Sequence, residues 1–115
     1  MSEPMTMAEA VRYQLERRRG AVFYSDLAAH IARDAVFVVR ADLDLVDCGV
    51  AVAQDSVEIV RGWIEGGKLR KPSVAERASW PLETGRRWLA IVVQPFVLVQ
   101  DAADDLAGSQ PTSFD

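Results

Sequence analysis

The residues best suited to chemistry in this chain are four aspartates that lie close together in the sequence. They are Asp42, Asp44, Asp47 and Asp55. Carboxylates that converge in space can exchange protons with a substrate or supply the oxygen ligands that Mg²⁺ prefers. The same residues also suit helix caps, because Asp55 stands three residues before Glu58, which is the spacing of a capping box. We therefore predict that Asp55 is an N-cap, and we keep a small enzyme or ligand binder built on the acids between Asp42 and Asp55 as an alternative.

Two other reactive side chains occur once each. His30 is the only histidine and Cys48 the only cysteine, so an internal disulfide is excluded. A catalytic or metal-binding imidazole needs an orienting partner, and no Ser, Cys or acid stands at a motif spacing from His30. A nucleophilic thiol needs an electropositive, partly exposed setting, whereas Cys48 stands among apolar residues beside Asp47. We predict structural roles for both residues.

Sequence motifs give no positive indication of an enzyme. The chain has no phosphate-binding loop, zinc-ligand spacing, nucleophile elbow or dinucleotide fingerprint. No catalytic residue can be assigned on this basis, and we expect neither a cofactor nor a metal.

A short basic segment contains Lys68, Arg70 and Lys71. In a winged-helix protein a basic wing would stand here, after a recognition helix between Asp55 and Gly66. That helix would present a mixed set of charges, Glu58, Arg61 and Glu65, which is a poor surface for reading phosphates or bases. We favour a charged edge strand that resists aggregation, and we keep a winged-helix-like nucleic-acid-binding regulator as an alternative.

The charge of the chain is neutral over most of its length. Residues 1–100 hold 13 acids and all 13 Lys and Arg, and the net charge of −4 comes from the segment after residue 100. This balance differs from the basic excess of nucleic-acid binders. The first five residues carry an acid and no apolar run, so we expect no signal peptide and a cytoplasmic location. The longest apolar run is shorter than the roughly 20 residues of a membrane span, so no membrane partner is expected.

Periodicity predicts a single α+β domain over residues 6–101, with a flexible N-terminus at 1–5 and a disordered acidic tail at 102–115. Capping boxes at Thr6, Asp55 and Ser73 mark helix starts. Helices are predicted over 7–19, from residue 25, over 55–66 and over 73–80. Residues 43–54 fit either a helix or an alternating strand, and we prefer the helix. Strands are predicted near 35–39, 68–72 and 88–100.

The run from Trp88 to Gln100 has the strongest signal in the chain. Its composition is typical of a central strand buried on both faces, with Val92 among the buried residues. Pro95 lacks an N–H, so the chain should bend or leave the ladder there. Residues from Phe96 onward would then cover a second region of sheet or face a partner chain. Both Trp88 and Trp63 are interpreted as core residues.

Several of these segments together resemble small bacterial proteins grouped as domain of unknown function 2288. The matching segments are Leu43–Val46, Ala53–Asp55, Val60–Gly66 and, most specifically, Trp88–Gln100. The matched structural positions are Asp44, Asp55, Trp63, Gly66, Trp88, Pro95 and Gln100. An aromatic residue, often Trp, follows the proline in such proteins, and here it is Phe96. The resemblance covers about Phe23 to Asp101 and implies a bacterial, cytoplasmic protein, but it implies no activity.

The sequence as a whole favours a non-enzymatic interaction module. The apolar content supports a strong core, while no constellation of residues for chemistry is apparent. The expected partner is another protein or a second copy of the same chain.

Overall fold

The computed structural model describes residues 5–102, and helices and strands alternate along most of that range. The helices are α1 (Met7–Arg18), α2 (Tyr24–Ala32), α3 (Leu45–Ala53), α4 (Val57–Glu65) and α5 (Val74–Ser79), followed by a 3₁₀ turn at Trp80–Leu82. The strands are β1 (Gly20–Phe23), β2 (Val36–Val39), β3 (Leu69–Arg70), β4 (Arg87–Val93) and β5 (Phe96–Asp101). The predicted α+β class is confirmed.

The strands of the described range form one mixed sheet in the order β1-β4-β5-β2-β3. β2 and β5 are parallel, and the other neighbours are antiparallel. β5 is therefore the central strand, and the short β3 lies at the edge predicted for residues 68–72. The strand predicted near 35–39 is β2.

The apolar run from Trp88 to Gln100 forms the two strands of a hairpin and not the single strand predicted near 88–100, but the chain does leave the ladder at Pro95, as predicted. β4 and β5 pair from Trp88 with Asp101 to Val93 with Phe96, and Gln94 and Pro95 form the turn between them. The Gln94–Pro95 peptide bond is cis. Pro95 can occupy the turn because no ladder hydrogen bond needs its nitrogen there. β1, which the sequence pattern does not predict, pairs through its four residues with the start of β4.

The sheet is covered on both faces, and each face has its own core. On one face, Leu98 and Ile91 pack with Val46 and Cys48 of α3 and with Leu15 of α1. On the other face, a second cluster joins the sheet to α2 and the 3₁₀ turn through Leu27, Ile31, Val36, Trp80, Trp88, Ala90, Val97 and Val99. Strand side chains alternate between faces, which is why both sets of positions are apolar.

Val92 departs from this pattern and is 43% exposed, so its predicted burial is wrong. It lies on the face of the second cluster, one residue from the end of β4. The helices on that face leave this corner of the sheet uncovered. Apolar composition alone does not distinguish a covered strand end from an uncovered one.

Two of the predicted capping boxes form. The hydroxyls of Thr6 and Ser73 accept from the N–H groups of Glu9 and Glu76, and each glutamate accepts from the N–H of its cap residue. Residues 45–53 are helical, which confirms the preferred assignment for 43–54, and Asp44 caps this helix by accepting from the Asp47 N–H at 2.8 Å.

Asp55 ends α3 instead of beginning α4, so the predicted N-cap is wrong. Its φ is 58°, a left-handed conformation. Its N–H donates to the Val52 carbonyl at 3.1 Å, and the Ser56 N–H donates to the Ala51 carbonyl at 2.9 Å. These two bonds define a Schellman motif. Ser56, whose side chain makes no capping bond, is the N-cap of α4.

Ala102 is fully buried, so the start of the predicted tail belongs to the core. Residues 103–115 lie outside the described range, as do residues 1–4.

Candidate functional site

The four aspartates singled out in the sequence do not form one site. Asp42 pairs with Arg40 at 2.8 Å and Lys68 at 3.7 Å, and the hydrogen bond from Arg40 lowers the pKa of Asp42 to about 2. Asp47 pairs with Arg12, while Asp44 and Asp55 serve the two ends of α3. The carboxylates of Asp42, Asp44 and Asp47 therefore have local structural roles, whereas Asp55 acts at the end of α3 through its backbone N–H.

Cys48 and His30 lie apart from these acids. Cys48 is fully buried in the first core, and burial, with a smaller contribution from nearby Asp47, raises the pKa of its thiol to about 11. A thiol in this state is a poor nucleophile. His30 is half-buried on α2, and its Nδ1 contacts the guanidinium of Arg33. Among residues 5–102, no group of three or more His, Cys, Asp or Glu could hold a metal ion.

The three basic residues at the sheet edge are each paired with a carboxylate. Arg70 donates to both carboxylate oxygens of Glu76, at 2.7 and 2.9 Å. Lys71 pairs with Asp34, and Lys68 approaches Asp42. β3 pairs with β2 as the edge of the five-stranded sheet and does not form a hairpin wing. These pairs reduce the positive field that a phosphate backbone would meet.

The Arg86 side chain lies over two tryptophans of the second core, at the end of the sheet opposite the Pro95 turn. Its guanidinium carbon lies 4.7 Å from the centre of the Trp88 ring and 5.8 Å from that of Trp80. The two indoles are 4.9 Å apart. Glu83 and Asp101 accept from the guanidinium at 3.0 and 3.3 Å. Both tryptophans are buried and the guanidinium of Arg86 is paired, so we infer that this cluster stabilises the fold.

An open apolar groove lies between α3, α4 and the start of β5. It has a volume of about 480 Å³. A smaller apolar pocket of about 170 Å³ adjoins it and shares four of its residues, which are Val52, Val60, Ile64 and Phe96. Phe96 also makes an edge-to-face contact with Phe37 at 5.6 Å, so the floor of the groove continues into the sheet.

α4 is amphipathic, yet none of its side chains is fully buried. Val60 and Trp63 are half-buried against the first core. Val57 and Ile64, which line the groove, are 51% and 49% exposed. Exposed apolar side chains that line a groove are candidates for an interaction surface. One side of the apolar face of α4 thus packs against the core, and the other side is exposed to solvent.

Three charged side chains line the same groove. They are Asp55, Arg61 and Glu65. None of them makes an ion pair in the part of the chain that the structure describes, whereas the charges at the sheet edge are mutually paired. An apolar floor with polar, charged margins is the usual composition of a protein interface.

The sequence pattern predicts the apolar residues of α4 that line this groove, but not that the groove is open. The spacing of Val57, Val60 and Ile64 predicted a helix with an apolar face. Whether a neighbouring element covers that face depends on where the chain places α3 and β5, which spacing does not reveal. The sequence predicts that residues from Phe96 onward cover a second region of sheet or face a partner chain, and Phe96 is a residue of the groove.

Fold and surface together define a small α+β domain with a two-sided mixed sheet and an open apolar groove. The sequence profile of a protein family of unknown function, DUF2288, matches residues 10–101. The chain belongs to this family, as the resemblance predicted. Trp88 and Gln100, two of the resembling positions, are respectively buried in the second core and hydrogen-bonded to the loop before α3.

One solved structure gives an independent comparison. The chain is 32% identical to PA1075 from Pseudomonas aeruginosa, whose solution structure was determined by NMR. The match covers 87% of this chain and 93% of that one, with a TM-score of 0.68. No curated protein matches the chain. Separately, none of the helices in the described range has the length and apolar character needed to cross a membrane.

Proposed function

We propose that this protein is a non-enzymatic protein-interaction module and that the groove beside α4 is its binding surface. The observation that carries the proposal is the exposure of Val57 and Ile64, which line the groove, on a helix whose Val60 and Trp63 pack against the core. Amphipathic helices and grooves of this kind bind partners through apolar anchors at helical spacing. We place the protein in the bacterial cytoplasm, because its family resemblance is bacterial and its single thiol suits a reducing compartment.

The chemistry of the remaining surface supports this assignment. Asp42 and Asp47 are occupied by ion pairs, and Cys48 is buried with a raised pKa. The groove, in contrast, combines apolar area with charges that have no partner among residues 5–102. A binding role would therefore use the exposed apolar area and the charges of the groove, which are not paired within the described part of the fold.

Site-specific photocrosslinking in cells tests the proposal. A photoreactive amino acid at position 64 should give a discrete crosslinked product, because Ile64 lines the groove. The same amino acid at position 59 is the matched control, since Ile59 is 55% exposed on the same helix but does not line the groove. Equal labelling from both positions, or no product from position 64, would contradict the proposal.

A further inference from the structure

We propose that the exposed edge of β1 binds an extended acidic segment of another protein, which joins the sheet as an added strand. β1 ends the sheet on one side, with β4 as its strand neighbour. None of the residues that line the groove beside α4 belongs to this edge, so the inference goes beyond the proposed function and does not depend on it. Extended peptides bind such edges through main-chain hydrogen bonds, and nearby side chains decide which sequences bind.

The two edges of the sheet differ in their protection against a further strand. The β3 edge has two residues, is flanked by lysines and is followed by Pro72. Charged side chains and proline are common means by which proteins keep an edge from pairing. β1 has four residues, none of them charged or proline, and Gly20, Ala21 and Phe23 are exposed. The fold therefore leaves the β1 edge able to accept a strand.

The hydrogen bond of Phe23 shows which backbone groups of β1 face outward. Its N–H donates to the Asp26 carboxylate at 2.9 Å and therefore points away from β4. In an antiparallel ladder the N–H and C=O of one residue point to one side, and those of the next residue point to the other side. Ala21, two residues before Phe23, therefore also directs its N–H and C=O away from β4. Neither group has a hydrogen-bond partner among residues 5–102, so both are free to pair with an added strand.

Arginines near both ends of this edge favour an acidic partner. Arg18 and Arg19 immediately precede β1, and Arg87 lies on β4 directly opposite Phe23. Within the described range, none of these three guanidinium groups makes an ion pair. Arg19 and Phe23 are four positions apart, which is about 13 Å in an extended strand. Carboxylates on either side of a short extended segment would therefore meet a cation at each end of β1.

The same arginines argue against a second copy of this chain as the added strand. Antiparallel pairing of two β1 strands centred on Ala21 would place Arg19 of one copy opposite Phe23 of the other. Arg87 lies beside that phenylalanine, so cations of the two copies would meet at both ends of the pair. Like charges across strands are destabilising. Charge thus favours an acidic segment over self-pairing.

Titration of the ¹⁵N-labelled full-length chain with short peptides, followed by two-dimensional amide NMR, tests the inference. The probe is a capped peptide in which the sequence valine-threonine-valine is flanked on each side by two aspartates. One control peptide has lysines in place of the aspartates, and another has proline in place of the central threonine, which removes the N–H that would meet Ala21. We expect the acidic probe to shift the amide signals of β1. The lysine peptide should leave these signals unchanged, and the proline peptide should bind about fivefold or more weakly than the probe.

Variants of the chain locate the contacts. Arg18→Gln/Arg19→Gln should bind the acidic peptide about fivefold or more weakly than the wild type does. Arg33→Gln/Arg61→Gln, which removes two arginines elsewhere, is the matched control and should bind it with unchanged affinity. Ala21→Pro removes the outward N–H while leaving the hydrogen bonds to β4, so it should also weaken binding. Circular dichroism establishes that each variant is folded, and the arginine variants keep the test decisive if Ala21→Pro does not fold.

Two results with the peptides would overturn the inference. One is the absence of any shift in β1 at millimolar acidic peptide. The other is equal binding of the acidic probe and the proline peptide, which would reduce the contact to charge attraction without strand pairing. Shifts at Val57 and Ile64 in place of β1 would assign the peptide to the groove, which contradicts this inference and supports the proposed function. A failed crosslink at position 64 contradicts the proposed function alone, because Ile64 is not part of the β1 edge.

Two further results would identify a different occupant of the edge. A wild-type dimer that Ala21→Pro dissociates would show that a second copy pairs with β1. Shifts in the β1 signals on Asp104→Asn/Asp105→Asn, without peptide, would show that the acidic segment of the same chain lies there. Either result would overturn the assignment to another protein.

Discussion

The side-chain amide of Gln100 holds the loop that leads into α3 by donating to the carbonyl oxygen of Leu43 at 2.7 Å. The same nitrogen donates to the Arg40 carbonyl at 3.0 Å. Gln100 lies on the central strand, and the two carbonyls belong to the segment between β2 and α3. This side chain therefore helps to hold the loop, whose start is also held by the Arg40 N–H, which donates to the Lys68 carbonyl at 2.9 Å. This explains why an amide at the end of an otherwise apolar run is structurally useful.

Replacing this donor with an acceptor should destabilise the fold. In Gln100→Glu a carboxylate would face two carbonyl oxygens and both hydrogen bonds would be lost, which we expect to cost about 2 kcal/mol or more. Urea unfolding followed by circular dichroism gives the free energy of unfolding. Gln14→Glu, the same change at an exposed position of α1, is the control and should have little effect. Equal stability of the two variants would show that the loop does not depend on Gln100.

The conformation of Asp55 predicts a stabilising substitution. A non-glycine residue at a φ of 58° is strained, and glycine adopts this conformation freely, so Asp55→Gly should raise the free energy of unfolding by about 0.5 to 1 kcal/mol. Asp55→Ser would supply a capping hydroxyl but not relieve the strain, so it should not stabilise the protein. The converse test is Gly67→Ala at a φ of 76°, where a Cβ meets no atom and only the backbone is strained. An Asp55→Gly variant that lowers the free energy of unfolding would support the N-cap interpretation instead, because glycine is a weaker cap than aspartate.

Acid should weaken the sheet edge through Glu76. The hydrogen bond from Arg70 lowers the pKa of Glu76 from 4.5 to about 2. A pKa that is lower in the folded state stabilises the fold above pH 4.5, and this contribution is lost as the pH falls from 4.5 through about 2. Thermal unfolding measured across this range should show Glu76→Gln to be less stable than the wild type near neutrality, with the difference shrinking in acid. Glu58→Gln, at a residue with no ion pair within the described range, should show no such convergence.

The Arg86 cluster predicts a difference between two cations. Lysine at this position retains a charge but not the flat guanidinium that stacks on Trp88 and reaches both carboxylates. We expect Arg86→Lys to cost about 1 kcal/mol and Arg86→Ala somewhat more, because the long side chain also covers the indoles. Tryptophan fluorescence reports the change directly, since Trp80 and Trp88 should become more exposed. Unchanged stability in both variants would contradict the assignment of this cluster to the fold.

Local signals in the sequence predicted the elements whose contacts are local. The capping boxes at Thr6 and Ser73 succeed because each involves a single turn of helix. Asp55 fails because aspartate tolerates both an N-cap and a left-handed helix end, and the sequence pattern is the same for both. β1 is four residues long and gains its order from pairing with β4, a partner distant in the chain. The groove likewise depends on how the fold places β5 beside α3 and α4, which lie far from it in the chain. The apolar face of α4 could therefore be predicted from the sequence, but its exposure to solvent could not.

A final pair of substitutions separates buried from exposed positions on β4. The sequence predicts that Val92 is buried, but the structure leaves it 43% exposed, so an aspartate there keeps much of its hydration. We now expect Val92→Asp to fold with a modest loss of stability. Its neighbour Ile91 is fully buried in the first core, and Ile91→Asp should abolish cooperative unfolding, because an unpaired carboxylate would lie among apolar side chains. Two-dimensional amide NMR spectra distinguish the two outcomes. If Val92→Asp also fails to fold, a further chain segment or a second copy must cover that corner of the sheet.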